Sequence, residues 1–273
     1  MPRTSLTSEE VTTYRKQGFV VVEDFLSPEE LQQWRHAVDS AVGARSRAAD
    51  LERKRRLVAG GTKSEDPSYY STVFTQRLQL WTDSQHMREI MLDPEIGRMA
   101  AVLAGVEGIR IWHDQALIKE PWASPTGFHL DNPYWSYSNK AALSIWVALD
   151  DATQQNGAMI FCPGSHLATD CNRNSGIGQD LGELFSLYPE MKVAPVVVPM
   201  KAGTASFHNG MLAHGAGANM TPGRRRAMTC GYMPTGSTFN GQQNVLPSDY
   251  VATLAVGEYP GVPPAPASCL SVD

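Results

Sequence analysis

The chain has 273 residues, of which 42% are hydrophobic and 19% charged, with a formal net charge of −5. This is the composition of a folded globular protein rather than a disordered one, and the length fits one large domain. The basic runs are short and separated, so the charge pattern disfavours nucleic acid as a partner. No apolar run reaches the ~20 residues that cross a bilayer and no signal peptide is evident, so we expect a cytoplasmic protein without a membrane partner. No pattern in the sequence favours a particular oligomeric state.

Two capped helices are predicted near the start of the chain. Thr7 lies three residues before Glu10, and the segment ends at Gly18, which is the pattern of a capping box followed by a glycine cap. The run FVVVEDF predicts a strand, and Ser27 then caps a second helix in SPEELQQWRHAVDSAVGA. Residues 45–66 are charged and lack periodicity, so we expect a mobile surface segment there, with or without a short helix.

Beyond about residue 105 the pattern changes to short extended runs that are rich in β-branched and aromatic residues. These runs are IRIWHDQALIKE, AALSIWVALDD, AMIFCPGS, APVVVPM, GTASFH, MLAHGAG and RAMTCGYMP. Many short strands after helical segments predict a β-sandwich or barrel that is buttressed by helices, with an open end that can hold a ligand. We expect a single domain over residues 1–273, with a helical buttress over roughly 1–105 and a β core over roughly 106–235.

Candidate metal ligands follow the first of these runs. His129 and Asp131 are two residues apart in GFHLDNPYW, and on an extended backbone their side chains project to the same side. Alone, this spacing is also typical of a hydrogen-bonded surface pair. A third candidate, His214, follows the hairpin signal Asn209-Gly210, which predicts that its strand returns beside the preceding strand. Two histidines and one carboxylate on one face of Fe(II) leave three positions open, as an oxygenase requires.

A candidate carboxylate partner lies eleven residues after His214, at Arg225. A turn at TPG is expected to bring the strand of Arg225 back beside this histidine. If two of the open positions on iron bind the C1 carboxylate and keto oxygen of 2-oxoglutarate and the third binds O2, the far carboxylate of this co-substrate needs a cation. A planar guanidinium matches a carboxylate in a bidentate geometry, so we assign Arg225 to that carboxylate. Adjacent strand residues face opposite sides, which places Arg224 and Arg226 on the other face. Alone, GRRR is typical of a solvated turn, and His166 in PGSH of a turn with a hydrogen-bonding histidine.

Three segments, in this order, resemble the phytanoyl-CoA dioxygenase family of Fe(II)- and 2-oxoglutarate-dependent oxygenases: GFHLDNPYW, SIWVALDDATQQNGAMIFCPGSH and HGAGANMTPGRRRAM. The opening GFVVVEDFLSPEEL is similar as well, so the resemblance covers most of the chain. It implies a mainly β fold with flanking helices, the double-stranded β-helix of jelly-roll or cupin-like proteins. It also implies Fe(II) as the cofactor, with 2-oxoglutarate and O2 as co-substrates.

The resemblance further implies roles for individual residues. The iron ligands would be His129, Asp131 and His214. Arg225 would anchor 2-oxoglutarate, with Gln115 and Trp146 beside it, although the last two positions also fit ordinary strand packing. Family members often carry Ser or Thr two residues after the distal histidine, and this chain has Ala216 there. One hydrogen bond to 2-oxoglutarate is therefore in doubt.

Five apolar side chains near the candidate ligands can either line a substrate pocket or pack in the core. They are Tyr134, Trp135, Tyr137, Phe207 and Met211.

The reaction implied by the resemblance is the oxidation of a C–H bond in a small organic substrate, with release of succinate and CO2. Halogenating relatives in the wider superfamily replace the carboxylate ligand with a small residue, and this chain keeps Asp131. Hydroxylation, desaturation or ring formation is therefore favoured over halogenation. Two alternatives are a non-catalytic β-barrel that binds a small molecule or metal as a sensor, and a cupin-type metal enzyme without 2-oxoglutarate. Arg225 and Asp131 favour the oxygenase.

Overall fold

The structure of the chain is a computed structural model that describes residues 5–58, 72–82, 84–178 and 180–259, with the backbone alone for residues 47–58. The helices are α1 (Ser8–Gln17), α2 (Pro28–Val58), α3 (Gln85–Met91), α4 (Pro94–Ala104), α5 (Glu183–Leu187) and α6 (Ser248–Val251). Within the described ranges, no helix is both long enough and apolar enough to cross a membrane.

The strands lie mainly in the second half of the chain. They are β1 (Phe19–Val22), β2 (Thr75–Leu78), β3 (Ile109–Lys119), β4 (Thr126–His129), β5 (Tyr137–Ser138), β6 (Leu143–Ala148), β7 (Met159–Phe161), β8 (Val196–Val198), β9 (Ala205–Asn209), β10 (His214–Ala216), β11 (Arg225–Pro234) and β12 (Thr238–Phe239). Each extended run predicted beyond residue 105 contains one of these strands.

Ten strands form two antiparallel sheets, and β5 pairs separately with β12. The larger sheet has the order β1-β9-β6-β11-β3-β2, and the smaller has the order β4-β10-β7-β8. Consecutive strands lie in different sheets at β3 and β4, at β6 and β7, at β8 and β9, at β9 and β10, and at β10 and β11. This architecture confirms the predicted jelly-roll, the double-stranded β-helix with flanking helices. The first hundred residues are not only helical, because β1 and β2 form the two edges of the larger sheet.

Two predicted strand neighbours are wrong. His214 does not begin a strand beside β9, because β10 pairs with β4 and β7 in the smaller sheet. Arg225 does not return beside His214, because β11 pairs with β3 and β6 in the larger sheet. A two-residue type I′ hairpin needs positive φ at both central residues, and neither Asn209 nor Gly210 has it. The connection therefore crosses between the sheets.

The first two helices begin as the sequence predicts. Thr7 and Glu10 form a reciprocal capping box at the start of α1, and Gly18 ends this helix in the left-handed conformation with φ 81°. The helix α2 is longer than expected, because it continues through residues 45–58, where we predicted a mobile segment. Ala, Leu, Glu, Lys and Arg dominate this stretch, and their high helix propensity outweighs the missing periodicity. Residues 59–66 lie outside the described part of the chain.

The main core lies between the helices and one face of the larger sheet. Trp34 and Val38 of α2 belong to the same buried cluster as Ile145 of β6 and Phe207 of β9. Along β6 the intervening residues Ser144 and Trp146 face the opposite side, and every residue of this strand is buried. The helices thus cover one face of the sheet, and the other face is left to line a cavity.

Candidate metal centre and co-substrate cavity

The three candidate ligands meet where two strands of the smaller sheet pair. His129 ends β4, His214 begins β10, and these two residues are direct partners in the antiparallel register. Asp131 follows in a turn with φ −75° and ψ −52°, so the extended backbone assumed from the spacing is wrong at this residue. The turn, rather than a strand, brings the carboxylate to the two imidazoles.

The ligand atoms converge on one point. Oδ1 of Asp131 is 3.6 Å from Nε2 of His129 and 3.6 Å from Nε2 of His214. One ligand atom from each residue lies within 4.8 Å of the others. Nδ1 of His129 lies 2.9 Å from the carbonyl oxygen of Gly127, and Nδ1 of His214 lies 2.9 Å from that of Leu212. Each Nδ1–H therefore donates to a carbonyl, which leaves both Nε2 lone pairs free to bind a metal.

The electrostatics of the cluster keep His214 and Asp131 in their metal-binding protonation states. Burial lowers the pKa of His214 to about 3, and the neighbouring His129 adds to this effect. Burial alone would raise the pKa of Asp131, but His214, His129 and His208 outweigh it and hold this pKa well below the ordinary value. Neutral imidazoles and an ionised carboxylate are the donors of a 2-His-1-carboxylate iron site, so the residues fit Fe(II).

Two further residues contact the carboxylate of Asp131. Its Oδ2 accepts a hydrogen bond of 2.7 Å from Oγ of Ser144, and Nε2 of His208 lies 3.3 Å from the same oxygen. His208 is the last residue of the predicted extended run GTASFH, and no pattern in the sequence indicates a role for it. Its separation from Asp131 along the chain hides the contact, which arises only when the two sheets face each other.

A cavity of about 490 Å³ extends from this cluster between the two sheets. All six predicted site residues border it: His129, Asp131, His214, Arg225, Gln115 and Trp146. The larger sheet contributes side chains from β2, β3, β6, β9 and β11, and the smaller sheet contributes residues from β4, β7 and β10. The cavity thus joins the candidate metal ligands to the candidate anchor for 2-oxoglutarate.

Arg225 is a buried cation that borders this cavity. Its side chain is 2% exposed, and neither Nε nor Nη1 has a hydrogen-bond partner within the described residues. The guanidinium lies 5.3 Å from the ring centroid of Trp146. Burial lowers the pKa of Arg225 to about 10, so the group stays charged near neutral pH. A buried charge with unused donors fits a carboxylate ligand.

The neighbouring arginines face away from the cavity. Arg226 forms ion pairs with Asp150 and Asp39, and Arg224 lies 3.2 Å from Asp39 on the surface. The alternation of the three arginines is thus the one expected for a strand, with Arg225 alone directed inward.

The remaining predicted residues divide between the cavity and the core. Gln115 borders the cavity and accepts a hydrogen bond of 2.5 Å from the amide of Gln76, which borders it too. Tyr134 and Trp135 also line the cavity. The pocket interpretation is wrong for three of the five apolar side chains, because Tyr137, Phe207 and Met211 do not border the cavity and pack in buried clusters instead. Ala216 lines the cavity and offers no hydroxyl.

Residues 14–227 match the family model of phytanoyl-CoA dioxygenase (PhyH). The chain belongs to the phytanoyl-CoA dioxygenase family. Over 130 residues it is 28% identical to a probable alpha-ketoglutarate-dependent hypophosphite dioxygenase of Stutzerimonas stutzeri, and this match covers 46% of each sequence.

Two solved structures of similar length extend the comparison. The non-heme alpha ketoglutarate dependent carbocyclase SnoK from nogalamycin biosynthesis is 29% identical, with a TM-score of 0.73 over 94% of this chain and 95% of the other. The epimerase SnoN, in complex with Fe3+, alpha ketoglutarate and nogalamycin RO, is 27% identical, with a TM-score of 0.64 over 95% of each chain. The chain is thus a dioxygenase of the class that depends on Fe(II) and 2-oxoglutarate, which decides against a non-catalytic barrel and a cupin enzyme without this co-substrate.

Proposed function

We propose that His129, Asp131 and His214 bind the catalytic Fe(II) and that Arg225 binds the far carboxylate of 2-oxoglutarate. The observation that carries this proposal is the arrangement of one cavity. It has three converging metal donors in one wall and, in another, a buried guanidinium whose Nε and Nη1 have no hydrogen-bond partner among the described residues. A dianionic keto acid complements both, because one end can chelate a metal and the other can pair with an arginine.

In this proposal, the residues of the chain bind and shield the groups that carry out the oxidation. When bound, iron and 2-oxoglutarate supply the oxidation of a C–H bond by O2, with release of succinate and CO2. The protein holds the metal on one face, which leaves positions for 2-oxoglutarate and O2. Trp146 covers the guanidinium of Arg225, and Gln115, fixed by Gln76, lies on the wall between β2 and β11. We propose that Gln115 and Trp146 flank the co-substrate and exclude water from it.

The substrate would occupy the part of the cavity that His113, Tyr134 and Trp135 border. The ring of His113 meets that of Trp135 edge to face, with centroids 6.2 Å apart. Burial lowers the pKa of His113 to about 4, so its imidazole is neutral near pH 7. This wall therefore offers aromatic surface and a neutral hydrogen-bonding group to the substrate.

We propose a small organic substrate, and we rank ring-containing natural products first. The support is the similarity to a carbocyclase and an epimerase of nogalamycin biosynthesis, together with the aromatic wall. Hydroxylation, desaturation and ring formation are the proposed outcomes. Halogenation is disfavoured, because Asp131 keeps the carboxylate that a halide would have to replace.

The first test measures bound iron and 2-oxoglutarate in matched variants. Replacing His129 or His214 with Ala should remove stoichiometric Fe(II), because each imidazole supplies one of three protein ligands. His36→Ala is the control, since this histidine is exposed on α2. Full iron content in both ligand variants would contradict the assignment.

The same assay tests the anchor. In iron-loaded enzyme, Arg225→Ala should weaken 2-oxoglutarate binding by about 2–5 kcal/mol, because the co-substrate carboxylate loses a buried charged partner. Arg224→Ala is the matched control, with a guanidinium that is 49% exposed on the other face. If Arg224→Ala alone lost affinity for 2-oxoglutarate, the anchor would lie on the opposite face of the strand, and its assignment to Arg225 would be wrong.

A further inference from the structure

The carboxylate of Asp131 has its two oxygens in different environments. Oδ1 faces the Nε2 atoms of His129 and His214, at 3.6 Å from each. Oδ2 points the other way, toward Oγ of Ser144 at 2.7 Å and Nε2 of His208 at 3.3 Å. One oxygen is therefore directed at the metal donors, and the other is occupied by protein hydrogen-bond donors.

The two residues on Oδ2 come from the opposite sheet. Ser144 of β6 and His208 of β9 are direct partners in the register of the larger sheet, so their side chains lie on the same face. Both are buried, with 3% and 2% exposure. Asp131 itself sits in the turn after β4. The larger sheet thus holds a carboxylate that the smaller sheet presents.

The surroundings of the His208 ring favour a proton on Nε2, the nitrogen next to Asp131. Its Nδ1 is buried without a hydrogen-bond partner within the described residues, so a proton on that atom would lack an acceptor. A proton on Nε2 meets the carboxylate instead. The ring packs against those of Phe161 and His214, with centroid distances of 5.5 and 4.6 Å. His208 is therefore a buried donor aimed at one oxygen of one carboxylate.

We propose that His208, together with Ser144, is a positioning residue that keeps Asp131 a one-oxygen ligand of the iron. The inference rests on the proposed function, in which Asp131 is a ligand. Two imidazoles, one carboxylate oxygen and a chelating 2-oxoglutarate leave one of six octahedral positions for O2. If Oδ2 rotated onto the metal as well, it would fill that last position. The hydrogen bonds from Ser144 and His208 hold Oδ2 away.

The experiment compares His208→Leu with His208→Gln and uses nitric oxide as the probe for the open position. Leu removes the donor, whereas Gln keeps an N–H group at the end of a side chain of similar reach. We expect His208→Leu to bind Fe(II) about 10- to 100-fold more weakly, as is typical when a group that orients a metal ligand is lost. At saturating Fe(II) and 2-oxoglutarate, its yield of the iron nitrosyl signal in electron paramagnetic resonance should also fall.

The controls separate hydrogen bonding from packing. His208→Gln should recover most of the nitrosyl yield. Ser206→Ala should match the wild type, because Ser206 lies on the same face of β9, is fully buried and has no partner for its hydroxyl within the described residues. If His208→Leu does not fold, Ser144→Ala removes the other donor to Oδ2 with a smaller change in volume, and the same loss of nitrosyl yield is expected.

Three outcomes overturn the inference. One is a wild-type nitrosyl yield and iron affinity in His208→Leu. Another is an equal loss in the Leu and Gln variants, which would show that the ring's shape matters and its donor does not. If the Leu variant does not fold, the third is a wild-type yield in Ser144→Ala. Asp131→Ala shows which proposal has failed. Full iron binding in that variant rejects the proposed function itself, whereas loss of iron there with no effect of His208→Leu rejects only the positioning role.

Discussion

At the scale of single residues, the buried lysine Lys119 connects three segments of the chain beside Arg225. Lys119 is a direct cross-strand partner of Arg225 and is 0% exposed. Its ammonium donates to the carbonyl oxygens of Val73, at 3.2 Å, and Ser124, at 2.7 Å. These contacts join the segment before β2 and the loop before β4 to strand β3, but they supply no negative charge. Burial, followed by the charge of Arg225, lowers the pKa of Lys119 to about 7.

This pKa predicts a defined dependence of stability on pH. Below about pH 7 the amine is charged in the folded and the unfolded chain, so the folded state bears the whole cost of burying the charge. Between about 7 and the ordinary value of 10.5, only the unfolded chain keeps the proton, so the free energy of unfolding rises with pH. Relative to Lys119→Met, the wild type should gain up to about 1.4 kcal/mol per pH unit from pH 7 to 9.

Urea unfolding at several pH values between 7 and 9 measures this difference. Lys192→Met, which changes an exposed lysine, is the matched control and should follow the wild type. A difference between the wild type and Lys119→Met that stays constant across this range would mean that the amine remains charged in the folded protein.

The residue types of the metal site are visible in the sequence, but their mutual contacts are not. His129 and Asp131 are neighbours along the chain, and His214 lies in a segment that a family resemblance singles out. The donors to Oδ2 of Asp131 come from two other strands, so no local spacing links them to it. Nor does any local pattern show that Arg226 has two carboxylate partners, whereas Nε and Nη1 of Arg225 have none in the part of the chain that the structure describes. That difference depends on which face of β11 the helices cover.

At the scale of elements, the close approach of β4 and β10 determines how far apart the two imidazoles lie. The register shifts between His214 and Ala216, where Gly215 lies against the backbone of β4. A Cβ on Gly215 would be 2.7 Å from the carbonyl oxygen of Thr126, which is closer than such atoms approach in practice. Only glycine therefore allows the two strands this separation.

Gly215→Ala should push β4 and β10 apart and weaken iron binding. Such overpacking typically costs about 1–3 kcal/mol of stability, and the displaced strands are those that carry His129 and His214. Gly217→Ala is the control, because a Cβ there would have its nearest neighbour at 3.6 Å, an ordinary contact. Iron titration and thermal unfolding of the metal-free proteins measure the two effects. Equal iron affinity in both variants would contradict the role of Gly215.

Which elements form is easier to predict than which elements pair. Thr7, Glu10 and Gly18 bound the first helix because capping depends on residues within one turn. The prediction from the Asn209-Gly210 pair was wrong, because a hairpin signal reports only a local preference. In the folded chain β9 and β10 belong to different sheets, and this arrangement overrides that preference. The length of α2 was underestimated for a related reason, since charged residues without periodicity can still extend a helix whose start is anchored.

At the scale of the whole molecule, helices and sheet share one core. The largest buried cluster includes Trp34 of α2, Leu103 of α4 and Ile145 of β6. The strand β6 that contributes Ile145 to this cluster also contributes Trp146 to the cavity. We therefore propose that the chain is a single domain in which the N-terminal helices and the β core cannot unfold separately.

This proposal predicts one unfolding transition for variants on opposite sides of the molecule. Trp34→Ala, in the helices, and Phe161→Ala, on β7 of the smaller sheet, each remove a buried aromatic side chain, which typically costs about 3–5 kcal/mol. Because folding is cooperative across a shared core, each should shift the same transition by circular dichroism and by tryptophan fluorescence. Leu167→Ala, at a side chain that is 76% exposed, should leave it in place. If Trp34→Ala instead split the curve, with helix loss at low denaturant and the sheet melting at its original midpoint, the helices would form a separate unit.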